Sequence, residues 1–242
     1  MSGQASKIRM EIRDGAAYIT INNPDKLNCL DTGMLEGIMN ALDKIAADPA
    51  VRVLLFQGAG DRAFSTGANL KEFDKLDKPG IAGWIRKGHR VFNAIESMSK
   101  PSVAVINGYA MGGGLELALA CDIRIAEENA QFSFPELKHG WIPGWGALSR
   151  LRRLIGESNA KKIILLGAQI DVASAMSTGL VHKVFKKENL RKEIEGITDH
   201  FKNTDPFVIE MAKNALGESQ RSTFGNDILF EVLATQYSKG KT

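Results

Sequence analysis

The chain has 242 residues, 44% of them hydrophobic, with 31 Lys plus Arg against 28 Asp plus Glu, and its net charge of +3 is spread along the whole length. That size accommodates one α/β body with an appended helical segment and a substantial buried core. The charge balance and the absence of a basic run exclude nucleic acid as the default partner, and no apolar run approaches the roughly 20 residues needed to cross a bilayer, so no membrane association and a cytoplasmic location are expected.

Lys7 to Ile12 and Ala16 to Asn22 read as two strands joined by Arg13-Asp14-Gly15, where the Asp-Gly pair supplies the positive φ of a tight hairpin. After Pro24, the apolar residues Met34, Leu35, Ile38, Leu42 and Ile45 fall at helical spacing, with Asp31 as the N-cap and Pro49 as the stop. Val51 to Phe56 is a buried-type strand that opens into the Gly-rich stretch Gly58 to Gly67. A second cycle has a helix through Val91, Phe92 and Ile95, a strand Ser102 to Ile106, then Gly108 to Gly114 leading into the helical run Leu115 to Ala120.

Beyond Asp122 to Ala126 the pattern reads as mostly helical, with segments at Ala147 to Ile155, Ala160 to Leu166, Val172 to Thr178 and two more after Leu190. This divides the chain into an α/β body over residues 1–190 and a helical segment over 191–242. Cys29 and Cys121 lie in apolar surroundings without a CxxC partner, as expected of reduced core thiols. His89, His139, His182 and His200 show no close metal-ligand spacing, and no GxSxG is present.

The segment Asn107 to Glu116 carries Gly112-Gly113-Gly114 at a strand-to-helix junction, where backbone N–H groups without Cβ hindrance suit an oxyanion. A phosphate loop is excluded because no Lys-Ser or Lys-Thr follows, and the dinucleotide fingerprint because Leu117 stands at its last glycine. Glu116, one turn into the helix, either faces a bound carbonyl compound or serves as an ordinary cap. Glu136, after the apolar Phe132 to Pro135, is either a desolvated acid with a raised pKa or a solvated loop residue. Ala63 to Lys71 offers a second backbone N–H to the same oxygen, or a surface turn at a helix start.

Taken in order, Asn23-Pro24, Asn28-Cys29-Leu30, Ala63 to Lys71, Gly112 to Glu116 with Cys121-Asp122, Pro135-Glu136 and Pro143-Gly144 resemble the crotonase, or enoyl-CoA hydratase/isomerase, family across residues 7 to 190. The resemblance implies an α/β crotonase-like spiral of ββα units, followed by helices that in relatives build trimers or dimers of trimers. It implies that the N–H groups of Ala68 and Gly113 bind the thioester carbonyl. Ala68, Asn69, Leu70 and Lys71 would then contact coenzyme A, with Lys26 and Lys71 on its phosphates. In relatives that hydrate an enoyl thioester both glutamates act, so Glu116 is expected to activate water for C3 and Glu136 to deliver a proton to C2. Coenzyme A would arrive as part of the acyl-CoA substrate, with no separate cofactor and no metal.

The sequence departs from the family pattern at Cys29, at Asn69 where Asp is usual, and at Trp145 and Ala147, where small residues are usual; the indole is expected to reshape the acyl pocket. The chain also ends at Thr242, short of a final helix often found in the family. An isomerase using Glu136 alone, a thioester hydrolase or decarboxylase, and a non-catalytic, including RNA-binding, homologue remain alternatives on the same scaffold.

Overall fold

The computed structural model describes residues 6–218. Strands β1 (Ile8–Arg13) and β2 (Ala16–Ile21) form the expected hairpin, with φ of +50° at Asp14 and +75° at Gly15. Helix α1 (Thr32–Ala47) starts where Asp31 accepts a hydrogen bond from Met34 N at 2.9 Å, and it buries Met34, Leu35, Ile38, Leu42 and Ile45. Then follow β3 (Val53–Gly58), β4 (Ala63–Ser65), α2 (Leu70–Phe73) and α3 (Lys78–Glu96). The next unit is β5 (Ser102–Ile106), β6 (Tyr109–Met111) and α4 (Gly113–Ala120), and the third is β7 (Ile123–Glu127), β8 (Gln131–Ser133) and α5 (Ala147–Leu165). The chain continues through β9 (Ile170–Asp171), α6 (Val172–Ser177), β10 (Lys183–Phe185), α7 (Leu190–Asn203) and α8 (Pro206–Glu218).

A six-stranded sheet has the order β1-β2-β3-β5-β7-β10 and a four-stranded one the order β4-β6-β8-β9. Among the described residues only β1 with β2 and β8 with β9 pair antiparallel; the other neighbours are parallel. Each of β3, β5 and β7 in the large sheet is followed within a few residues by β4, β6 or β8 in the small one, and then by helix. These are the ββα units the resemblance implied. Because β4, β6 and β8 are parallel neighbours, the residues after their C-terminal ends converge at one edge, the usual place for a ligand in parallel sheets.

One face of the large sheet packs against α1, α3 and α4, and every residue of α4 is buried. The other face meets α7 through Ile194 and Phe201, which join Tyr18, Leu55, Val103, Val105 and Phe185 in a second cluster. Of the helical segment placed at 191–242, residues 219–242 lie outside the described ones. The two helices expected within 147–166 occur as one element broken at Gly156, whose φ is +78° and ψ +162°. The expected helix through Val91, Phe92 and Ile95 extends back to Lys78 on an Asp77 cap, and the mostly helical stretch after residue 126 also carries the short strands β8, β9 and β10. No helix among the described residues is long and apolar enough to cross a membrane.

Candidate active site

The turn after β4 is braced from outside. Buried Asn28 donates Nδ2 to the carbonyls of Ala59 and Ala63 at 2.9 and 2.7 Å, and its Oδ1 accepts from Asn23 N. Leu30 N then donates to Gly67 O at 2.6 Å, and Asn69 N to Leu30 O at 2.8 Å. The pairing uses the groups on either side of Ala68, and its own N–H has no acceptor among the described residues.

After β6, Gly112 adopts φ +49° and ψ −127°, a conformation open to glycine, and a Cβ there would stand 2.6 Å from Glu136 Oε1. Helix α4 begins at Gly113, so its first N–H groups are free by helix geometry. A Cβ on Gly113 would lie 3.5 Å from Ala68 N, and one on Gly67 2.7 Å from Gly113 N. The triple glycine thus lets two backbone N–H groups from different ββα units stand side by side.

Glu116, 2% exposed, projects from the first turn of α4, and its Oε1 accepts from Trp145 N at 2.7 Å and Ala147 N at 2.9 Å. It caps the start of α5 rather than its own helix. Desolvation pushes its pKa up to about 7 against the pull of those two N–H groups, with the nearby Glu136 adding to the rise. Glu136 opens the 3₁₀ turn Glu136–His139 after β8, and its pKa is likewise pushed up to about 7 by desolvation. Its Oε2 is buried and has no hydrogen-bond partner among the described residues. Glu116 is thus fully buried and Glu136 half-buried, and both are poised near neutrality and close enough for Glu136 to influence Glu116.

They share a cavity of ≈ 700 Å³ that also reaches Ala68, Gly113, Leu70 and Trp145. A shallower groove of ≈ 440 Å³ continues from it through Cys29 and Leu70 and is lined by Lys26, Asn69, Lys71 and Lys75. The one acid in that groove, Glu72, is committed to Thr32 N at 3.0 Å, and among the described residues none of the three lysines is ion-paired. Every residue expected from the sequence at the site thus lies in one continuous cavity and groove. No group of three or more His, Cys, Asp or Glu among the described residues is placed to hold a metal.

Sequence reasoning missed several residues that the fold brings here. Phe73, Trp84, His89 and Trp141 line the cavity. Buried Arg150 donates to Trp145 O at 3.0 Å and to Asn93 Oδ1 at 2.6 Å, and pairs with Glu96 at 2.7 Å, clamping the loop whose amides hold Glu116. Desolvation and the Arg150 charge together lower the His89 pKa. Only the tryptophans carried a signal in the sequence, as large apolar residues beside Gly and Pro.

A sequence profile described as enoyl-CoA hydratase/isomerase matches residues 11–234. The chain belongs to the enoyl-CoA hydratase/isomerase family. A crotonyl-CoA hydratase of Syntrophomonas wolfei is 35% identical over 225 residues, covering 93% of this chain and 86% of that protein. A short-chain-enoyl-CoA hydratase of Clostridium acetobutylicum is 32% identical over 94% of this chain and 87% of its own length. The crystal structure of an enoyl-CoA hydratase from Bacillus anthracis superposes with a TM-score of 0.91 at 31% identity, over 96% of this chain and 90% of that one. The crotonase-like architecture expected from the ordered motifs is thus that of solved members of the enoyl-CoA hydratase/isomerase family.

Proposed function

We propose that the chain is an enoyl-CoA hydratase, adding water across the C2–C3 double bond of a 2-enoyl thioester. One observation carries the reading: two carboxyl groups with pKa values near neutrality share an apolar cavity with two unengaged backbone N–H groups. The thioester oxygen accepts from the N–H groups of Ala68 and Gly113, and conjugation passes that polarisation to C3. As water attacks C3, charge moves onto the oxygen, where each preoriented donor contributes about 2.7–4 kcal/mol to stabilising the enolate.

Glu116, as carboxylate, takes the proton of the attacking water on Oε2, because Oε1 is committed to two amides. Glu136, in its acid form, delivers a proton to C2 from its unpartnered Oε2. Desolvation raises both carboxyls to about 7, with the Glu136 charge adding to the rise at Glu116, so acid and base coexist at neutral pH. Double-bond isomerisation needs a single carboxyl; the second, Glu116, favours hydration.

Coenzyme A enters as part of the substrate, its phosphates along Lys26 and Lys71 and its thiol arm past Asn69 and Leu70, and no resident cofactor is required. A homotrimer or dimer of trimers is the assembly proposed. The apolar end of α5, with Leu165 62% and Leu166 74% exposed, supports further burial against another copy. Unpaired Cys29 and Cys121 support a cytoplasmic, reducing location. The activity is tested by loss of enoyl-thioester absorbance with crotonyl-CoA. Turnover that persists undiminished in Glu136→Gln would refute the mechanism.

A further inference from the structure

Between α3 and α4 the wall of the cavity is filled by Trp145. Trp145 is 1% exposed, and its indole bridges α4 and α3: a Cβ on Gly113 would stand 2.4 Å from Cζ3, and one on Gly88 only 2.1 Å from Cδ1. Gly88 lies inside α3, where glycine is disfavoured relative to alanine, and its lack of a side chain is what makes room for the ring. An acyl chain leaving the Ala68 and Gly113 amides therefore cannot run on between α3 and α4.

The remaining space leads outward, and its wall is aromatic. Trp145 packs on Trp84 with centroids 4.3 Å apart, Trp84 on Phe73 at 5.2 Å, and Phe73 on Trp141 at 4.8 Å. All three tryptophans of the chain are thus in this one row. Phe73, Trp84 and Trp141 are half-buried, so part of each ring surface is open to the cavity. Past them the rim is formed by Ile142 and Leu148, 63% and 47% exposed. A long flexible chain laid along this path would lose rotamer freedom and still leave its end in water. A flat ring loses almost no freedom and gains offset or edge contacts with the wall.

We infer that the preferred acyl group is a 2-enoyl carrying a planar aromatic ring near C3, seated on the Phe73–Trp84–Trp141 wall, with Trp145 as the specificity-determining stop. This rests on the hydratase reading for the enoyl thioester but makes its own claim about the pocket. The test uses saturated thioesters that cannot be hydrated: 3-phenylpropionyl-, 3-cyclohexylpropionyl- and nonanoyl-CoA, with equal numbers of acyl carbons. Binding is read by calorimetry and by tryptophan fluorescence.

The phenyl compound is expected to bind about three- to tenfold more tightly than the other two. Phe73→Leu, which keeps an apolar side chain, should shrink the preference for phenyl over cyclohexyl. Trp145→Leu should selectively improve nonanoyl-CoA. Equal affinities, or tightest binding of nonanoyl-CoA to the unaltered protein, would overturn the inference. Preference for phenyl without hydration of crotonyl- or cinnamoyl-CoA would sink the hydratase reading and leave the pocket assignment standing. Hydration of crotonyl-CoA with no phenyl preference would do the reverse.

Discussion

Replacing Glu116 by Gln should lower activity yet make the protein more stable in alkaline solution, and the size of the effect follows from the environment of the carboxyl. Burial raises the Glu116 pKa from 4.5 to about 7, so between those values the folded chain holds a proton that the unfolded chain has released. Stability from this group is fully present below about pH 4.5 and is lost as pH rises through about 7. At about 1.36 kcal/mol per pH unit, the wild type should lose about 2.5 kcal/mol between pH 5 and pH 8 through Glu116 alone. Gln has nearly the same shape, stays neutral, and can offer its amide oxygen to Trp145 N and Ala147 N in place of Oε1. Urea unfolding of both proteins at the two pH values isolates Glu116 together with its coupling to Glu136, since the remaining titrating groups largely cancel in the double difference. The Gln variant should gain on the wild type by about 2.5 kcal/mol from pH 5 to pH 8. Parallel pH dependences for the two proteins would refute the raised pKa and the dry site inferred from it.

Three further outcomes are expected. Gly113→Ala drives a methyl group into the Trp145 ring and toward Ala68 N, and should reduce kcat by about 10²–10³, the cost of one oxyanion donor, as measured by crotonyl-CoA hydration. Because one carboxyl must be ionised and the other protonated, kcat/KM should follow a bell centred near pH 7, with both limbs set by the pair rather than by either residue; a plateau from pH 5 to 9 would contradict this. Lys26→Ala and Lys71→Ala should raise KM for crotonyl-CoA in a salt-sensitive way, but leave KM for a short N-acetylcysteamine thioester, which has no phosphates, unchanged.

The sequence discloses those parts of the site that depend on local chain geometry. Three adjacent glycines before a helical run mark a place where backbone must be approached closely, and Asp31 followed by apolar residues at helical spacing announces α1. Glu116 and Glu136 stood out only with the ordered motifs, since each alone reads more readily as a cap or a loop residue. The small sheet stayed hidden because β4, β6 and β8 have three residues each and β9 two, too few to display an alternation. The first half of α3 was masked by Pro79, Gly80, Gly83 and Gly88, all weak helix formers. Arg150, His89 and the aromatic wall depend on how α3 packs against α5 and the loop before it, and no local pattern encodes that.

Trp145 serves the site in two separable ways: its backbone N–H secures a carboxyl, while its ring shapes the room beside it. Any amino acid except proline supplies the same N–H, so the hydrogen bond to Glu116 does not require an indole at this position. A single codon change here can redraw the range of accepted acyl groups without touching the bond that holds Glu116. Such a position gives the scaffold an evolutionary dial, on which selectivity drifts while the reaction stays the same.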